Sequence, residues 1–305
     1  MAAALAAIAA PAAAADAAPV DALPLEQIAP GVHVHAGKVA PWPSADGDTS
    51  NAGFVVGERC VAVIDAGGSP AFGQRLLAAL RRVSPLPVCY LILTHIHPDH
   101  GLGAFAFAAG QPRPQVVAHA KAAAALGARE RYYANAMQRD TGQPLPHEQV
   151  VYPDKPVDGE AELDLGGRVL ALRAWPTAHT DHDLTVLDRA TGTLFAGDLL
   201  FMQHLPVLDG SLRGWLDQLA ELRKLPAQRV VPGHGPASAP WPAALEPQQA
   251  YLRAVLDGTR AALRARRTIQ QAVAEVAADA TAGWQEVDTY HRRNLTSAYA
   301  ELEWE

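Results

Sequence analysis

The chain has 305 residues, of which 49% are hydrophobic and 19% charged, a composition that indicates a large globular protein and excludes disorder as its main state. Its 25 basic residues are outnumbered by 32 acidic ones and form no basic stripe, which excludes nucleic acid and anionic membranes as the main partner. The two cysteines, Cys60 and Cys89, are too few for a disulfide framework or a four-thiolate metal site.

The first residues differ from the rest of the chain. The segment MAAALAAIAAPAAAADAAPV carries an apolar stretch, followed by small residues that suit cleavage around residues 13–17. A basic start is missing, because the first basic residue is Lys38. We predict that residues 1–23 are a signal peptide that directs export to the periplasm, and a disordered alanine-rich tail is the alternative.

The elements that follow are short and are separated by glycine and proline. Alternating or continuous apolar runs predict strands, and apolar residues at helical spacing predict helices. A strand, a helix and a strand follow one another between Cys60 and Leu93, which predicts a parallel pair. The predicted strands are 32–36, 53–56, 60–64, 88–93, 168–174, 184–188, 193–196 and 229–231, and the predicted helices are 71–83, 120–139 and 212–225.

The second half of the chain repeats the β-rich pattern of the first. No repeat of fixed period supports a solenoid, so we predict an α/β fold in which two sheets pack face to face with helices outside, an αββα sandwich. We assign this domain to residues 24–240. Residues 241–305 are mostly helical in pattern, with Gly258 and Gly283 as interruptions, and are predicted to be a helical extension packed on the domain.

The two cysteines lie in strands that are predicted to be parallel neighbours. Cys60 precedes Asp65 by five residues and Cys89 precedes Thr94 by five, so their sulfur atoms have similar heights in the sheet. A bridge is therefore feasible, but side-by-side positions of a parallel pair seldom give the torsion that a disulfide needs. We expect two buried free thiols instead.

Metal-binding side chains are concentrated at the end of one apolar strand, in the segment LILTHIHPDHGLG. Buried histidines without partners cost roughly 1 to 3 kcal/mol each in unmet hydrogen bonds, a penalty that a divalent metal removes. His95 and His97 can point to one side of the turn, and Asp99 and His100 to a neighbouring spot, which predicts two adjacent sites. Imidazole and carboxylate ligands without a thiolate suit zinc, iron or manganese.

This HxHxDH pattern resembles the signature of the metallo-β-lactamase fold, and further segments match that family's pattern in the same order. They are VAVIDAGG with Asp65, PTAHTDHD with His179, LFAGDLLF with Asp198 and VVPGHGP with His234. The resemblance spans about residues 30–240 and implies two metals that are bridged by Asp198. The implied ligands of the first metal are His95, His97 and His179, and those of the second are Asp99, His100 and His234.

The resemblance implies a metal-dependent hydrolase with two zinc ions per chain, although iron or manganese would fit the same ligands. Metal lowers the pKa of bound water to about 7, so a bridging hydroxide could attack an ester, thioester, lactone or amide. The net positive charge of such a site favours a small-molecule substrate with an anionic or carbonyl group. We assign catalysis to Asp99 and to Asp65, the latter as the carboxylate that orients a ligand imidazole or, alternatively, as a turn residue.

Five segments resemble a narrower group, the quinoprotein relay system zinc metallohydrolases, which are related to SoxH-like proteins. They are SNAGFVVG, THIHPDHG, PTAHTDHDL, GDLLFMQHLPVLDGSLRG and RNLTSAYAELEWE. This resemblance implies export and association with a quinoprotein dehydrogenase system, so that a periplasmic dehydrogenase is a candidate partner. It does not specify a substrate.

Several alternatives remain open. The same scaffold hosts iron-dependent oxidoreductases, including persulfide dioxygenases, and it could also serve as a metal-bearing accessory protein or show β-lactam hydrolysis as a side activity. At residue level, His182 and His204 either contact substrate or lie in surface loops, and the role of Asp183 is open. One of three further residues is a candidate substrate contact: Asp209, Ser211 or Arg213.

Overall fold

The computed structural model describes residues 20–305, so that residues 1–19 of the predicted signal peptide lie outside the described part of the chain. Two mixed sheets pack face to face around one apolar layer, and helices cover both outer faces. This arrangement confirms the predicted αββα sandwich. Within the described residues, no helix combines the length and apolar character that crossing a membrane requires.

The first sheet contains seven strands in chain order. They are β1 (Glu26–Ala29), β2 (Val32–His35), β3 (Ala52–Val56), β4 (Val61–Ile64), β5 (Val88–Ile92), β6 (Gln115–His119) and β7 (Lys155–Val157). The first four strands form an antiparallel meander. From β4 onward the pairs are parallel, as predicted for β4 and β5, because longer crossover segments connect these strands.

The second sheet contains six strands. They are β8 (Glu160–Asp164), β9 (Val169–Ala174), β10 (Leu184–Asp188), β11 (Thr193–Phe201), β12 (Arg229–His234) and β13 (Ala239–Pro240). Only β11 and β12 are parallel. β11 is longer than the predicted strand 193–196, because a register shift at Gly197, whose φ is +52°, lets the strand bend and continue buried to Phe201.

Eight α-helices lie outside the sheets of the described chain. They are α1 (Pro70–Val83), α2 (Pro98–Gly101), α3 (Phe105–Ala108), α4 (Ala122–Thr141), α5 (Leu212–Leu222), α6 (Glu246–Arg264), α7 (Ile269–Glu275) and α8 (Val287–Leu302). Residues of α1 and α4 share a core with the first sheet, and residues of α5, α6 and α8 share one with the second. Both α1 and α5 begin at a serine whose hydroxyl accepts a backbone N–H, the cap that a helix start requires.

The C-terminal helices pack on the second sheet, as predicted, while the division at residue 240 stays a prediction. The predicted interruption at Gly258 is wrong, since α6 runs through it. A Cβ at Gly258 would lie 2.7 Å from Cγ1 of Val276, so glycine is needed there for close packing and does not end the helix. Gly283 does lie between helices, with φ of +83°.

Cys60 and Cys89 form a disulfide bond, so the expectation of free thiols is wrong. The pairing of β4 with β5 is irregular at this point, because Val61 faces Val88 whereas Ala62 faces Tyr90. Cys89 is the extra residue of this bulge, and its Cα lies 5.8 Å from that of Cys60, within the range that a disulfide spans. Side-by-side positions of a parallel pair seldom give the torsion of a disulfide when the strands pair in a regular register. β4 and β5 do not pair regularly at these two residues.

Candidate metal centre

The candidate site lies at the edge where four strands of the two sheets finish. Asp65 directly follows β4, His95 follows β5, Asp198 lies in the last half of β11, and His234 ends β12. All seven predicted ligands converge there in two groups, within each of which the ligand atoms lie no more than 4.8 Å from one another. The first group is His95, His97, His179 and Asp198, and the second is Asp99, His100 and His234.

The Asp198 carboxylate stands between the two groups. Its Oδ2 lies 3.6 Å from Nε2 of His95 and 3.4 Å from Nε2 of His179, both in the first group. Its Oδ1 lies 3.1 Å from Nε2 of His100 and 3.4 Å from Nε2 of His234, both in the second. One oxygen therefore faces each group, which is the arrangement that a bridging ligand requires.

The donor atoms fit two divalent metal ions. Nε2 of His95, Nε2 of His100 and Oδ1 of Asp198 are buried, and none has a hydrogen-bond partner among the described residues. Leaving each such atom unsatisfied costs about 1–3 kcal/mol. Ligand atoms that sit 2.0–2.1 Å from a tetrahedral zinc ion lie about 3.3 Å apart, close to the separations around Asp198. The centre therefore has both the unsatisfied donors and the spacing for a dinuclear site.

The protonation states of the first group and of Asp198 suit metal binding. Burial opposes ionisation of Asp198, but the imidazoles of His100, His234 and His95 hold its pKa well below 3.8. Burial lowers the pKa of His179 to about 4, although the nearby Asp198 carboxylate acts in the opposite direction. Burial also lowers the pKa of His95 well below 6.5. A carboxylate and neutral imidazoles are the forms that coordinate metal.

The second group behaves differently. Burial is the largest single effect and lowers the pKa of His100 and His234, but the neighbouring carboxylates, Asp198 foremost, together outweigh it and raise both values above 6.5. Asp99 contributes to both increases. A metal ion that binds there must displace a proton, so binding at the second position releases protons more than binding at the first.

In the first group, hydrogen bonds fix which nitrogen of His97 and His179 faces the centre. Nδ1 of His179 lies 2.7 Å from the carbonyl oxygen of Val207 and donates to it, which leaves Nε2 for metal. His97 uses the opposite nitrogens: its Nδ1 lies 3.0 Å from Nε2 of His179, and its Nε2 lies 3.1 Å from Oδ2 of Asp209. The two imidazoles therefore point their unprotonated nitrogens toward one point.

Asp65 contacts the imidazole of His100, one of the predicted ligands. Its Oδ2 accepts from Nδ1 of His100 at 2.8 Å, and its carboxylate also accepts from the backbone N–H and the hydroxyl of Thr94, each at 2.8 Å. Thr94 Oγ1 in turn lies 3.1 Å from Nδ1 of His95. Asp65 has a φ of 56°, a left-handed conformation that few side chains other than Asn and Asp adopt readily.

The loop before β3 supports the rest of the second group. Nδ1 of His234 donates to the carbonyl oxygen of Thr49 at 2.8 Å, and the hydroxyl of Ser50 donates to the carbonyl oxygen of Asp99 at 2.6 Å. Glycine is required at Gly233, because a Cβ there would lie 1.9 Å from Oδ1 of Asp198. The VPGHGP segment thus keeps backbone close to the bridging carboxylate.

A cleft of about 230 Å³ opens above the centre, and Asp198, Asp99, His97 and His234 line it. Sequence reasoning missed its walls, because no local motif connects α4 and α8 with the ligands. The walls carry aromatic rings and guanidinium groups: Trp42, Tyr132, Tyr133 and Tyr290, with Arg129, Arg139 and Arg293.

The undecided residues near the centre are buried, so that the surface-loop alternative is wrong for both histidines. His204 lines the cleft, its Nδ1 lies 2.7 Å from the carbonyl oxygen of Leu205, and burial lowers its pKa to about 4. His182 lies behind the ligands, and burial lowers its pKa to about 3. Asp183 accepts from the N–H and hydroxyl of Thr180 at 2.9 and 2.6 Å, and so shapes the loop that carries His179.

The three residues proposed as candidate substrate contacts lie in different environments. Asp209 lies in the cleft and contacts His97, as described above. Ser211 caps α5, and Arg213 lies 3.1 Å from Glu305 in an exposed ion pair. Of the three, only Asp209 is among the residues that line the cleft.

Comparisons with known proteins agree with this fold and site. The family model of the metallo-beta-lactamase superfamily matches residues 45–234. A diflavin flavoprotein of Thermosynechococcus vestitus is 29% identical over an alignment of 215 positions that covers 63% of this chain and 34% of that protein. The chain thus spans about a third of the length of this curated relative.

Solved structures with similar folds include two whose identity to this chain is below 25%, so that they show the fold alone. A metallo-beta-lactamase family protein from Thermus thermophilus is 23% identical, with a TM-score of 0.64 over 91% of this chain and 93% of that one. A sec-alkylsulfatase from a Pseudomonas species is 16% identical, with a TM-score of 0.67 over 92% of this chain and 50% of that one. Because the family model covers more than half of its residues, the chain belongs to the metallo-beta-lactamase superfamily, whose members are typically metal-dependent hydrolases.

Proposed function

We propose that this protein is a dinuclear zinc hydrolase that cleaves an ester, thioester, lactone or amide bond in a small molecule. The observation that carries the proposal is the Asp198 carboxylate, which directs one oxygen at each of two ligand groups, each of which contains a buried histidine nitrogen without a hydrogen-bond partner. Zinc is proposed because five of the seven donors are imidazoles and the remaining two are carboxylates, with no oxygen-only cage that would select magnesium or calcium.

The side chains of the site have different roles in the proposed hydrolysis. Bound metal supplies a Lewis acid for the substrate oxygen and a hydroxide nucleophile at neutral pH. Asp99 lines the cleft with Oδ2 at 3.4 Å from Nε2 of His234, so that its carboxylate can accept a hydrogen bond from the attacking water and orient it. Asp65 holds the imidazole of His100 in one orientation, which keeps the geometry fixed between turnovers.

The arginines of the cleft support our proposal that the substrate carries an anionic group. Of the guanidinium groups on its walls, that of Arg139 pairs with Asp140 and that of Arg293 with Asp209. Arg129 makes no ion pair with any described residue, so its charge is available to a ligand. We therefore propose that Arg129 binds a carboxylate or similar anion of the substrate while the scissile carbonyl lies over the metal centre.

Metal analysis followed by a hydrolysis panel tests the proposed function. We expect close to two zinc ions per chain after zinc-replete purification, and turnover of at least one ester, thioester, lactone or β-lactam that a chelator abolishes. A protein that binds fewer than about one zinc ion, with activity insensitive to the chelator, would contradict the proposal.

Arg129 has its own test, with Arg131 as a matched control on the same exposed part of α4. Arg129→Ala should raise KM about fivefold for an anionic substrate and leave kcat and the KM of a neutral analogue unchanged, because an exposed ion pair contributes at most about 1 kcal/mol. Arg131→Ala should change neither. Equal effects of Arg129→Ala on the anionic and the neutral substrate would refute the assignment.

One observation favours a second function, an iron-dependent oxidoreductase that acts on sulfur compounds. The curated relative described above is a diflavin flavoprotein, whose name indicates redox chemistry, and histidine and carboxylate donors also suit iron. Purified protein that is coloured, contains iron and consumes oxygen in the presence of a persulfide would favour this function over hydrolysis. Colourless, zinc-loaded protein would exclude it.

We further propose membership of the quinoprotein relay group and export to the periplasm, with a periplasmic dehydrogenase as candidate partner. The Cys60–Cys89 disulfide supports export, because such bonds persist mainly in oxidising compartments. Thiol titration under denaturing, non-reducing conditions should find no free thiol in protein isolated from the periplasm. Two free thiols would count against both the bridge and the proposed location.

A further inference from the structure

The two ligand groups are held by different parts of the molecule. The supports of the second group come from the first sheet and its loops: Asp65 for His100, Thr49 for His234, and Ser50 for the backbone of Asp99. In the first group, His97 and His179 depend on residues 207–209 of the loop between β11 and α5. The position of that loop therefore determines the orientation of two ligands of the first group.

The loop between β11 and α5 has little regular structure of its own, and hydrogen bonds and an ion pair connect it to α8. Asn294, which is 1% exposed, accepts from the N–H of Leu208 at 2.9 Å and donates to the carbonyl oxygen of Pro206 at 2.6 Å. Arg293, the residue before it, contacts the carboxylate of Asp209. Adjacent residues of one helix therefore hold both the backbone and the key side chain of the loop.

A third contact fixes the end of the loop. The carboxylate of Glu301 accepts from the hydroxyl of Ser211 at 2.8 Å and from the N–H of Leu212 at 2.6 Å, where α5 begins. By contrast, no hydrogen bond within the described chain links α8 to Asp65, Thr49 or Ser50. The polar contacts of α8 thus reach residues that support the first ligand group and not these supports of the second.

We propose that Asp209 is the positioning residue of His97, and that α8, through Arg293 and Asn294, sets the metal affinity of the first group without setting that of the second. The Asp209 carboxylate accepts from Nε2 of His97, fixes the ring and makes Nδ1 a better donor to metal. Arg293 holds the carboxylate in place. The inference rests on the proposed function only in that both groups bind metal.

Metal titration of the full chain tests this proposal. Asp209→Asn and Arg293→Ala should each weaken one of the two zinc-binding steps about 10–100-fold, measured by competition with a chromophoric chelator, and leave the other step unchanged. Arg293→Lys should recover part of the loss. Arg292→Ala is the matched control, since Arg292 is an exposed neighbour on the same helix without an ion pair in the described chain.

Two backgrounds identify the affected group. In His234→Ala, which disables the second group, Arg293→Ala should still weaken the remaining zinc-binding step. In His179→Ala, which disables the first group, it should have no effect. The absorption of bound Co²⁺ should change with Asp209→Asn in the first background alone, which a general loss of folding would not produce.

The possible failures are distinguishable. Equal weakening of both steps, or affinities within twofold of wild type for Asp209→Asn and Arg293→Ala, would overturn the inference while leaving the proposed function intact. Wild-type protein that binds no metal would overturn both. Wild-type protein that binds two zinc ions but hydrolyses nothing in the panel would count against the proposed function alone, and the affinity pattern would still decide the inference.

Discussion

At one end of the sandwich, where β4, β5, β11 and β12 finish, buried nitrogen and oxygen atoms of His95, His100 and Asp198 face one another without hydrogen-bond partners. At the other end, where these strands begin, a buried charge is fully paired. Arg168 donates to Asp188 at 2.6 and 3.0 Å and to the carbonyl oxygen of Val56 at 2.9 Å. The Cys60–Cys89 bridge also lies at that end.

The comparison shows how one fold separates stability from function. Polar groups at the paired end satisfy one another, so their removal should change the free energy of unfolding and leave activity intact. At the metal end, donor atoms of the ligands stay without hydrogen-bond partners until a metal binds, so replacing those ligands should abolish activity and change the stability of the metal-free protein little. Four substitutions test this division, in decreasing order of expected effect.

Asp198→Asn should have the largest effect. We expect hydrolysis to fall about 10³-fold or more and zinc stoichiometry to drop, because both groups lose their shared anion. The metal-free variant should melt close to metal-free wild type, because without the carboxylate the buried imidazoles of His100 and His234 lose the protons that it stabilises, and no unpaired charge remains. Calorimetry of both metal-free proteins checks this expectation, and a clearly lower Tm for the variant would show that Asp198 also stabilises the fold.

Replacing both cysteines by alanine tests the opposite end. The bridge closes a loop with a sequence separation of 29, for which chain entropy gives a loss of about 3.5 kcal/mol in the free energy of unfolding. Zinc content and kcat should stay at wild-type values. Denaturant unfolding and metal analysis measure the two quantities, and a matched loss of zinc would break the proposed separation of the ends.

Asp188→Asn should destabilise the metal-free protein by about 3 kcal/mol at pH 7, because the largely buried guanidinium of Arg168 loses its fully buried charged partner. Burial opposes ionisation of Asp188, but the Arg168 guanidinium and Thr191 hold its pKa below 3.8. The ionised pair therefore stabilises the fold above about pH 4, and this contribution is lost as the pH falls through the lowered pKa.

The difference in unfolding free energy between wild type and Asp188→Asn should therefore narrow as the pH falls from about 4 through the lowered pKa of Asp188. Asp164→Asn is the control, because Asp164 pairs with Arg59 at the exposed surface and should contribute less than about 1 kcal/mol. A gap between wild type and Asp188→Asn that stays constant over this range would show that ionisation of Asp188 contributes nothing.

Asp65→Asn should have the smallest effect of the four, a 10–100-fold weaker zinc affinity. Asparagine tolerates the left-handed backbone of residue 65, so the substitution removes the charge without adding strain. Chelator competition measures the affinity. Asp65→Ala adds backbone strain and should lower the Tm further than Asp65→Asn, and equal Tm values for the two variants would show that the conformation is not costly.

The sequence predicted much of the candidate site because its residues occupy short segments at strand ends. His95, His97, Asp99 and His100 lie within six residues, and each remaining ligand stands in a short segment next to glycine or polar residues. Strand periodicity likewise predicted the two sheets. The local sequence pattern is therefore enough to predict metal ligands that lie close together in one turn.

Features that depend on distant contacts were not predictable in the same way. Arg293 and Asp209 are separated by 84 residues and meet only because α8 packs against the loop before α5. Helical periodicity predicts that such a helix packs on the domain, but it does not specify which residue its polar side chains reach. The disulfide was missed for a related reason, since the bulge at Cys89 is a property of the paired strands and leaves no mark in either strand alone.

The division of the ligands between the two groups has a consequence for metal supply. The first group offers three imidazole nitrogens, whereas the second offers two together with the carboxylate of Asp99. Nitrogen-rich sets prefer zinc, and added oxygen donors improve the relative standing of harder ions such as manganese. Where several metal ions compete, zinc should be replaced first in the second ligand group. A centre with two different metals would then show which ions are available in the compartment.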